Sequence, residues 1–436
     1  MPSEENRTPE EEALIQKLLA EYEAQLRRAL KKKPRTLEQI EDTAEEVGNQ
    51  VKRDLEEQIV QQQGTGDQGQ QTACSCGQSA RYVYDSSKRW VTRHGVLQIE
   101  RAYYYCRACR RGFCPLDARL GLGSGEYSSA VVVLSARFAG YLPPRAAVRE
   151  LREVCGLHLS ANTLRQHAHQ MGVALQVAWQ AEETAFFADP DKEVGPRPSQ
   201  LHLTLDGVML HVDGGWHEVK LGCAYRRGAW GGVEAARYQA SLAKSADFGK
   251  QWRVLGHICG ADQCRQVGIV ADGADWIWQE AGKYYPRRVQ VLDYYHACQH
   301  LWEVAHLRFG EGTPTAKAWM QRQQERLLSD RVGTVVKAID RWEAPTQAQQ
   351  EGQRRVLAYL RTHARRMRYQ TFREHGYHIG SGVAEAGCKA VVQARLKGPG
   401  MRWTGAGAEA MLHLRCAVCS TERTNFRPLA RQMVAA

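Results

Sequence analysis

The chain lacks the long apolar run that a membrane helix needs. Its 436 residues contain no stretch of about 18 consecutive apolar residues, so we expect no membrane span. The N-terminal segment is acidic and polar, and this excludes a secretory signal. No internal repeat is visible. These absences favour a protein of the cytoplasm.

Cysteine is plentiful by contrast. The 13 cysteines are odd in number, and without an export signal they indicate reduced thiols and metal binding rather than disulfides. Cys74-Ser75-Cys76 is followed, 30 positions after Cys76, by Cys106-x-x-Cys109. Two such cysteine pairs predict a zinc ribbon with four thiolate ligands, although the first pair has one intervening residue and not the usual two. Structural Zn²⁺ is therefore an expected cofactor.

Three further cysteines leave alternatives open. Cys114 is a spare candidate ligand for the ribbon. Cys416 and Cys419 form another C-x-x-C pair with no second pair nearby, so a shared helix face is favoured over a second metal site.

The ribbon itself either contacts DNA through the arginines and tyrosines around its second pair or is purely structural.

The charge balance predicts a polyanionic partner. Lys and Arg number 59 against 48 Asp and Glu, which gives +11 and a pI near 9.0. Basic side chains displace counterions from phosphates, so DNA is a natural partner, although an ordinary basic protein has the same balance.

Hydrophobic periodicity predicts a mixed α/β fold. Three β-like runs at 201–212, 217–225 and 233–242 precede a helix, a buried strand at 267–271, a helix at 274–284 and a strand at 289–292. This is the element order of an RNase H-like core. Residues 8–60, 127–180 and 294–366 are predicted to be mostly helical.

Part of the second helical region has a helix-turn-helix pattern. Two helices, 146–153 and 160–171, are separated at Gly156, with Ser160 or Asn162 as the cap of the second. Arg165 and Gln166 on that second helix would then reach base edges. A plain helical bundle is the alternative.

Three carboxylates lie in distinctive settings. Asp206 lies within the first β-like run, Asp272 ends the buried strand, and Glu385 lies in the glycine-rich segment 380–387. A carboxylate at the end of a buried strand is costly unless something binds it, and three together suit hard divalent cations. Neighbouring strands would bring Asp206 and Asp272 together, and Glu385 would come from a later helix.

Other acids and basic residues surround these positions. Asp275 and Asp293 compete with Asp272 for the second carboxylate position, but neither is favoured. Asp275 falls beyond the strand end, where a helix N-terminal acid is expected, and Asp293 ends the fifth strand beside His296. His296 and His300 either pack together or orient DNA or a carboxylate. Two groups of basic residues predict a DNA channel in preference to a solvated basic face. The first follows Glu385 and comprises Lys389, Arg395, Lys397 and Arg402. The second lies at the end of the helical insertion and comprises Arg354, Arg355, Arg361, Arg365, Arg366 and Arg368.

Ordered motifs give the chain a specific resemblance. They are Cys106-Arg107-Ala108-Cys109 with Pro115-Leu116-Asp117, Leu205-Asp206-Gly207-Val208, Ala271-Asp272-Gly273-Ala274-Asp275-Trp276-Ile277, Leu292-Asp293-Tyr294-Tyr295-His296, Gly382-Val383-Ala384-Glu385-Ala386-Gly387-Cys388-Lys389 and Lys397-Gly398-Pro399-Gly400-Met401-Arg402-Trp403. From about residue 74 to 415 the chain resembles a DDE transposase of bacterial insertion sequences, of the IS-Kra type. The N-terminal arm matches least.

The resemblance implies a reaction and its cofactors. Asp206, Asp272 and Glu385 would hold two Mg²⁺ ions, or Mn²⁺, one for the attacking oxygen and one for the leaving oxygen. The enzyme would cleave double-stranded DNA at element ends and transfer the strand into target DNA, as a homodimer or larger assembly at the bacterial nucleoid. A structure-specific RNase H-like nuclease and a catalytically dead DNA-binding regulator are the alternatives.

We therefore expect the following domains: an N-terminal helical arm (1–70), a zinc-ribbon domain (71–125), a helix-turn-helix-like DNA-binding domain (126–190), the first part of an RNase H-like catalytic core (195–300), a helical insertion (301–370) and the last part of the core, with Glu385 (371–436).

Overall fold

The computed structural model describes residues 9–33, 35–192, 195–228, 230–286, 288–422 and 424–435. The first eight residues, part of the segment from which a secretory signal was excluded, lie outside the described residues. Two compact units are present, one within Met1–Ala139, Pro143–His167 and Phe426–Ala436 and the other within Gly140–Leu142 and Ala168–Asn425. In the described part of the chain, no helix combines the length and apolarity needed to cross a bilayer. The six finer domain limits stay predictions.

The first unit begins with the predicted helical arm. Helices α1 (Pro9–Lys31) and α2 (Leu37–Gln61) confirm that residues 8–60 are mostly helical. α2 begins at a capping box, in which Thr36 and Gln39 bond to each other's backbone N–H groups. This reciprocal cap satisfies free N–H groups and explains why the second helix begins here.

A four-stranded antiparallel sheet follows in chain order. Its strands are β1 (Gln71–Ala73), β2 (Ser79–Thr92), β3 (Gly95–Cys106) and β4 (Arg111–Phe113). β2 and β3 form a hairpin, in which Thr92 pairs with Gly95 at the turn. Gly95 has φ +143°, a backbone conformation that residues with a side chain rarely adopt.

Helices complete the first unit, and its helix-turn-helix pattern is confirmed as local structure. Gly156 ends the first helix of the pair in the left-handed conformation, with φ 61°. The Ser160 hydroxyl accepts a hydrogen bond from the Thr163 N–H at 3.0 Å, so Ser160 is the cap. The helices are α3 (Pro115–Leu120), α4 (Ser129–Tyr141), α5 (Pro144–Cys155), α6 (Ala161–Ala188), which continues into the second unit, and α17 (Arg427–Ala435).

The second unit is built on a five-stranded mixed sheet. The strands are β5 (Gln200–Val212), β6 (Gly215–Arg227), β7 (Val233–Ser241), β8 (Gln266–Ala271) and β9 (Val289–Leu292). They lie in the order β7-β6-β5-β8-β9. β5, β6 and β7 are antiparallel, whereas β8 and β9 run parallel to β5. The predicted mixed α/β class is confirmed.

Two helices provide the crossover connections of this sheet. α7 (Ser245–Ile258) joins β7 to β8, and α8 (Asp275–Tyr284) joins β8 to β9. Phe248 and Trp252 of α7 are fully buried in the main core. Trp252 packs so closely on β6 that a Cβ at Gly222 would lie 3.1 Å from its ring. The core therefore fixes α7 on β6.

A helical segment separates β9 from the end of the second unit, as predicted. It comprises α9 (Tyr294–Phe309), α10 (Pro314–Leu327), α11 (Val332–Asp340), α12 (Gln347–His363), a 3₁₀ turn (Ala364–Arg366) and α13 (Tyr369–Glu374). After it come α14 (Gly382–Gly387), a π-helical segment (Cys388–Gln393), α15 (Ala394–Leu396) and α16 (Gly405–Cys419). α14 packs against β5 and β6.

Candidate functional site

Asp206 and Asp272 occupy equivalent places on neighbouring parallel strands. The last paired residues of β5 and β8 are Thr204 and Val270. Asp206 lies two residues beyond Thr204, and Asp272 lies two residues beyond Val270. The equal offset places both residues just beyond the last pair that joins these strands, and the strands are neighbours as expected from the sequence.

Glu385 comes from α14, which packs against β5 and β6. The close approach of this helix depends on Gly387, because a Cβ there would lie 2.9 Å from the Tyr238 ring and 3.0 Å from the Leu221 side chain. Gly387 therefore allows the close backbone approach of α14. At Gly382 an added Cβ would meet nothing within 4 Å, so that glycine has no such role.

The three carboxylates interact electrostatically. Burial raises the pKa of Asp206 above its ordinary value, and the negative charges of Asp272 and Glu385 raise it further. The Gly207 N–H, 2.7 Å from the carboxylate, and the Cys388 thiol lower this pKa by hydrogen bonding. Mutual repulsion of this kind is typical of carboxylates in a site where a bound cation or proton compensates their charge.

Glu385 is already compensated by a side chain. Its carboxylate oxygen lies 2.6 Å from the Lys389 ammonium, and both side chains are exposed. Asp272 instead accepts a hydrogen bond from the Ala274 N–H at 2.9 Å. In the described ranges, the cysteine cluster is the one group in which three or more candidate metal-ligand atoms lie within 4.8 Å of one another. The three carboxylates are therefore more loosely grouped than the cysteines.

The competing acids have structural positions. Asp293 is buried and caps α9, accepting hydrogen bonds from the N–H groups of Tyr295 and His296 at 2.6 and 3.2 Å. Its other oxygen accepts the Ser381 N–H at 2.9 Å and the Ser381 hydroxyl. Asp293 therefore ties the end of β9 to the segment before α14. Asp275 is the exposed first residue of α8, the helix N-terminal position expected for it.

The four predicted ribbon cysteines form one cluster in the first unit. The Sγ atoms of Cys74 and Cys109 are 3.6 Å apart, and those of Cys76 and Cys106 are 3.7 Å apart. Tetrahedral zinc with bonds of about 2.3 Å separates its sulfur ligands by about 3.8 Å. The geometry and the all-thiol donor set fit a closed structural metal site.

Neither alternative cysteine set joins this cluster. Cys114 is buried at the start of α3, outside the group. Cys416 and Cys419 lie on α16, and no metal-binding group that includes them is found in the described part of the chain.

The predicted DNA-contacting residues differ in exposure. Arg165 and Gln166 are exposed on α6, while the adjacent His167 is buried against Tyr127 and has its pKa lowered to about 4 by burial. Lys389, Lys397 and Arg402 are exposed in the second unit. His296 is half-buried beside His300, with ring centroids 5.9 Å apart.

Arg395 does not fit the expectation of a DNA contact. It is 3% exposed, and its guanidinium lies over the Trp403 ring and beside the Met401 sulfur. Burial lowers its pKa to about 10. The side chain lies in the interior because the helix turns Arg395 and Leu396 inward together. Sequence proximity to Glu385 gave no sign of this.

Several arginines of the insertion are also engaged within the protein. Arg355 pairs with Glu303, and Arg361 pairs with Asp340 at 2.9 Å. Arg366 donates to Gln290 at 2.8 Å. The predicted basic patch is therefore less available to phosphate than its composition implied.

Two residues beside the carboxylates were missed. The Tyr359 ring lies against Gly273, where an added Cβ would be 2.3 Å from it, and its buried hydroxyl has no hydrogen-bond partner in the described residues. No sequence signal links α12 to Asp272. Cys388 follows Glu385 by three residues, a helical spacing that could have identified it as a neighbour of the site.

Comparison with known proteins identifies related sequences without an assigned activity. Residues 255–427 match the model of UPF0236, an uncharacterised protein family. A protein of Streptococcus gallolyticus described as "UPF0236 protein in vanSb 3′ region" is 25% identical over 325 residues, which cover 70% of this chain and 67% of that protein. The family match includes Asp272 and Glu385 and begins after Asp206.

Proposed function

We propose that the protein is a DDE-type transposase that cleaves DNA at the ends of an insertion sequence and transfers the strand into target DNA. The observation that carries this proposal is the convergence of three carboxylates. Asp206 lies within β5 and Asp272 directly follows β8, each two residues beyond the last pair that joins these adjacent parallel strands. Glu385 is close enough for its charge to raise the Asp206 pKa.

The sheet supports an RNase H-like core for this activity. Three antiparallel strands are followed by two that run parallel to the first, in the order β7-β6-β5-β8-β9. That arrangement places β5 at the centre, next to β8. The helix that carries Glu385 packs against β5, the strand that contains Asp206. The N-terminal arm, ribbon and helix-turn-helix-like domain would precede this core.

The carboxylate cluster suits two Mg²⁺ ions, with Mn²⁺ as a substitute. Asp206, Asp272 and Glu385 supply hard oxygen ligands, and burial together with the charges of the other two acids raises the pKa of Asp206. Bound Mg²⁺ would supply positive charge for the attacking and leaving oxygens of phosphoryl transfer. In this scheme Lys389 leaves Glu385 and turns to a DNA phosphate.

The reaction has two steps that use the same site. Water attacks a phosphorus at the element end, the P–O3′ bond breaks, and a 3′-hydroxyl is released. That hydroxyl then attacks a phosphorus of target DNA, forming a new phosphodiester and releasing the target's own 3′-oxygen. Asp206, Asp272 and Glu385 orient the reacting groups in both steps.

DNA would be bound by exposed basic and polar residues in both units. Arg165 and Gln166 are exposed on α6, and we assign them the reading of base edges. Lys389, Lys397 and Arg402, with His296 nearer the core, are suited to phosphate contact. The Cys74, Cys76, Cys106 and Cys109 cluster would hold one structural Zn²⁺. We propose a homodimer or larger assembly on DNA in the bacterial cytoplasm.

The test is the analysis of DNA products from purified protein. Duplexes carrying flanked element ends are incubated with Mg²⁺ and a target plasmid, and the junctions are sequenced. We expect metal-dependent nicks at the ends and joined 3′ strands in the plasmid. Cleavage without joining would replace the proposal by a structure-specific nuclease. Sequence-specific binding without any cleavage would replace it by a DNA-binding regulator.

A further inference from the structure

A cavity of about 820 Å³ opens in the second unit beside the helix that carries Glu385. Gly382 and Val383 of α14 form part of its wall, together with the preceding residues Tyr377–Gly380. Its volume is within the range of small-molecule sites, which is about 300–1,000 Å³. A DNA duplex is too wide to enter such a space, whereas one nucleotide fits.

An exposed aromatic ring stands at this cavity. Tyr295 is 67% exposed and lines the wall. Its ring is held against the backbone of Gly380, where an added Cβ would lie 2.9 Å from it. The Tyr294 ring meets Tyr295 edge-on at 5.4 Å. Much of the ring is therefore left open to a stacking partner, and every nucleobase has a flat face that stacks on an aromatic ring.

Two arginines supply the charge that a phosphate needs. Arg227 and Arg373 both line the cavity and are exposed. Neither guanidinium forms an ion pair with a carboxylate in the residues that the structure describes, although Arg227 donates to the Gly376 carbonyl at 3.2 Å. Glu374 also lines the cavity and opposes them, but it accepts a hydrogen bond from Gln370 at 2.9 Å. A net positive charge remains.

His378, which lines the cavity, belongs to a stack of rings that extends into the protein. His378 stacks on the buried His202 at 4.8 Å and lies within hydrogen-bond distance of the Tyr225 hydroxyl, at 3.1 Å. Burial lowers the pKa of His202 to about 3, so this ring is neutral at physiological pH. Recognition of a phosphate therefore depends on the two arginines and not on the histidines.

We propose that this cavity binds one unpaired nucleotide of the DNA substrate, with its base stacked on Tyr295 and its phosphate bound by Arg227 and Arg373. The inference rests on the proposed function, because it takes DNA to be the substrate. It goes further by assigning an unpaired nucleotide beside the cleavage site. An enzyme with this pocket prefers DNA whose end is frayed or extended over fully paired DNA.

The experiment compares two DNA probes on the full-length protein with Mg²⁺ withheld. One is a duplex with a single-stranded extension that contains 2-aminopurine, and the other is the same duplex with a blunt end. Binding is measured by anisotropy and stacking by 2-aminopurine quenching. Tyr295→Ala and Arg373→Ala should each weaken binding of the extended probe about tenfold, whereas Tyr295→Phe should retain it. Trp216→Ala is the matched control, since Trp216 is 65% exposed but does not line the cavity.

The outcomes separate this inference from the proposed function. Equal binding of both probes, or wild-type quenching in Tyr295→Ala, overturns the pocket even if Mg²⁺-dependent cleavage is found. A preference for the extended probe that Tyr295→Ala abolishes supports the pocket even if no cleavage is detected. Asp206→Asn should retain that preference, because Asp206 does not line the cavity.

Discussion

The Lys389 ammonium lies 2.6 Å from the Glu385 carboxylate, one helical turn away. Both groups are mostly exposed, so water screens their attraction and the pair contributes little to stability. A divalent cation or a DNA phosphate can therefore separate them at small cost. We therefore expect Lys389 to compensate Glu385 before substrate binds and to be released to a DNA phosphate afterwards.

The variant Asp206→Asn is expected to lose cleavage and gain thermal stability. Asparagine keeps the side-chain volume but removes one of three mutually repelling charges. Cleavage should fall by about 100-fold or more, because losing even an outer-shell partner of a metal ligand typically costs about 10–100-fold. Cleavage of labelled DNA and thermal melting without Mg²⁺ measure the two effects. Asp275→Asn is the control, since Asp275 is an exposed helix N-terminal acid.

The gain in thermal stability of Asp206→Asn over the wild type should increase as the pH rises. Because the folded-state pKa of Asp206 is raised above 3.8, protonated Asp206 favours the fold below that value. This contribution is lost as the pH rises through the folded-state pKa. The melting temperature of Asp206→Asn minus that of wild type should therefore increase from acid to neutral pH. A constant or decreasing difference would contradict the electrostatic account of the site.

The cysteine cluster should hold about one zinc ion per chain, bound by four thiolates. Cys74→Ser or Cys109→Ser removes one ligand and should lower both the zinc content and the stability of residues 72–120. Elemental analysis of undialysed protein and protease susceptibility of that segment measure this. Cys114→Ser is the matched control, because Cys114 is also buried but lies outside the cluster. Zinc-free wild-type protein would rule out the site.

Replacing Asp293 should destabilise the second unit. Asp293→Ala removes the cap of α9 and leaves the Ser381 N–H without its acceptor. We expect a loss of about 2 kcal/mol in the free energy of unfolding, measured with urea. Thr313→Ala is the comparison, since Thr313 caps α10 through the single N–H of Ala316 and should cost about 1 kcal/mol. Equal losses would show that the link to Ser381 contributes nothing.

DNA binding should separate phosphate contacts from base contacts. Lys397→Ala and Arg402→Ala should each weaken binding to any sequence and reduce the slope of log affinity against log salt by about 1. Arg165→Ala and Gln166→Ala should instead reduce discrimination between element ends and random DNA. Competition binding at several salt concentrations measures both.

The buried Arg395 is the contrasting variant in the same assay. Arg395→Met should lower the melting temperature and leave the salt slope unchanged, because its guanidinium lies over Trp403 away from solvent. A reduced slope with unchanged stability would place Arg395 on the DNA surface after all. Equal losses on specific and random DNA for Arg165→Ala and Gln166→Ala would argue against a reading helix.

Local patterns in the sequence determined the elements and the candidate ligands. Alternating and continuous apolar runs predicted β5 to β9 with the correct order along the chain, because side-chain periodicity depends on neighbouring residues alone. The spacing of the cysteine pairs predicted the cluster that the structure contains. The carboxylates stood out for the same local reason, since a charge beside a buried strand needs a partner.

The tertiary structure alone decided which of these residues meet. The Asp293 bond to Ser381 joins positions 88 residues apart, and it assigns Asp293 to the framework and not to the carboxylate cluster. The burial of Arg395 and the cavity beside Tyr295 likewise depend on contacts between distant segments. Such contacts arise from packing of the whole core, and local propensity carries no information about them.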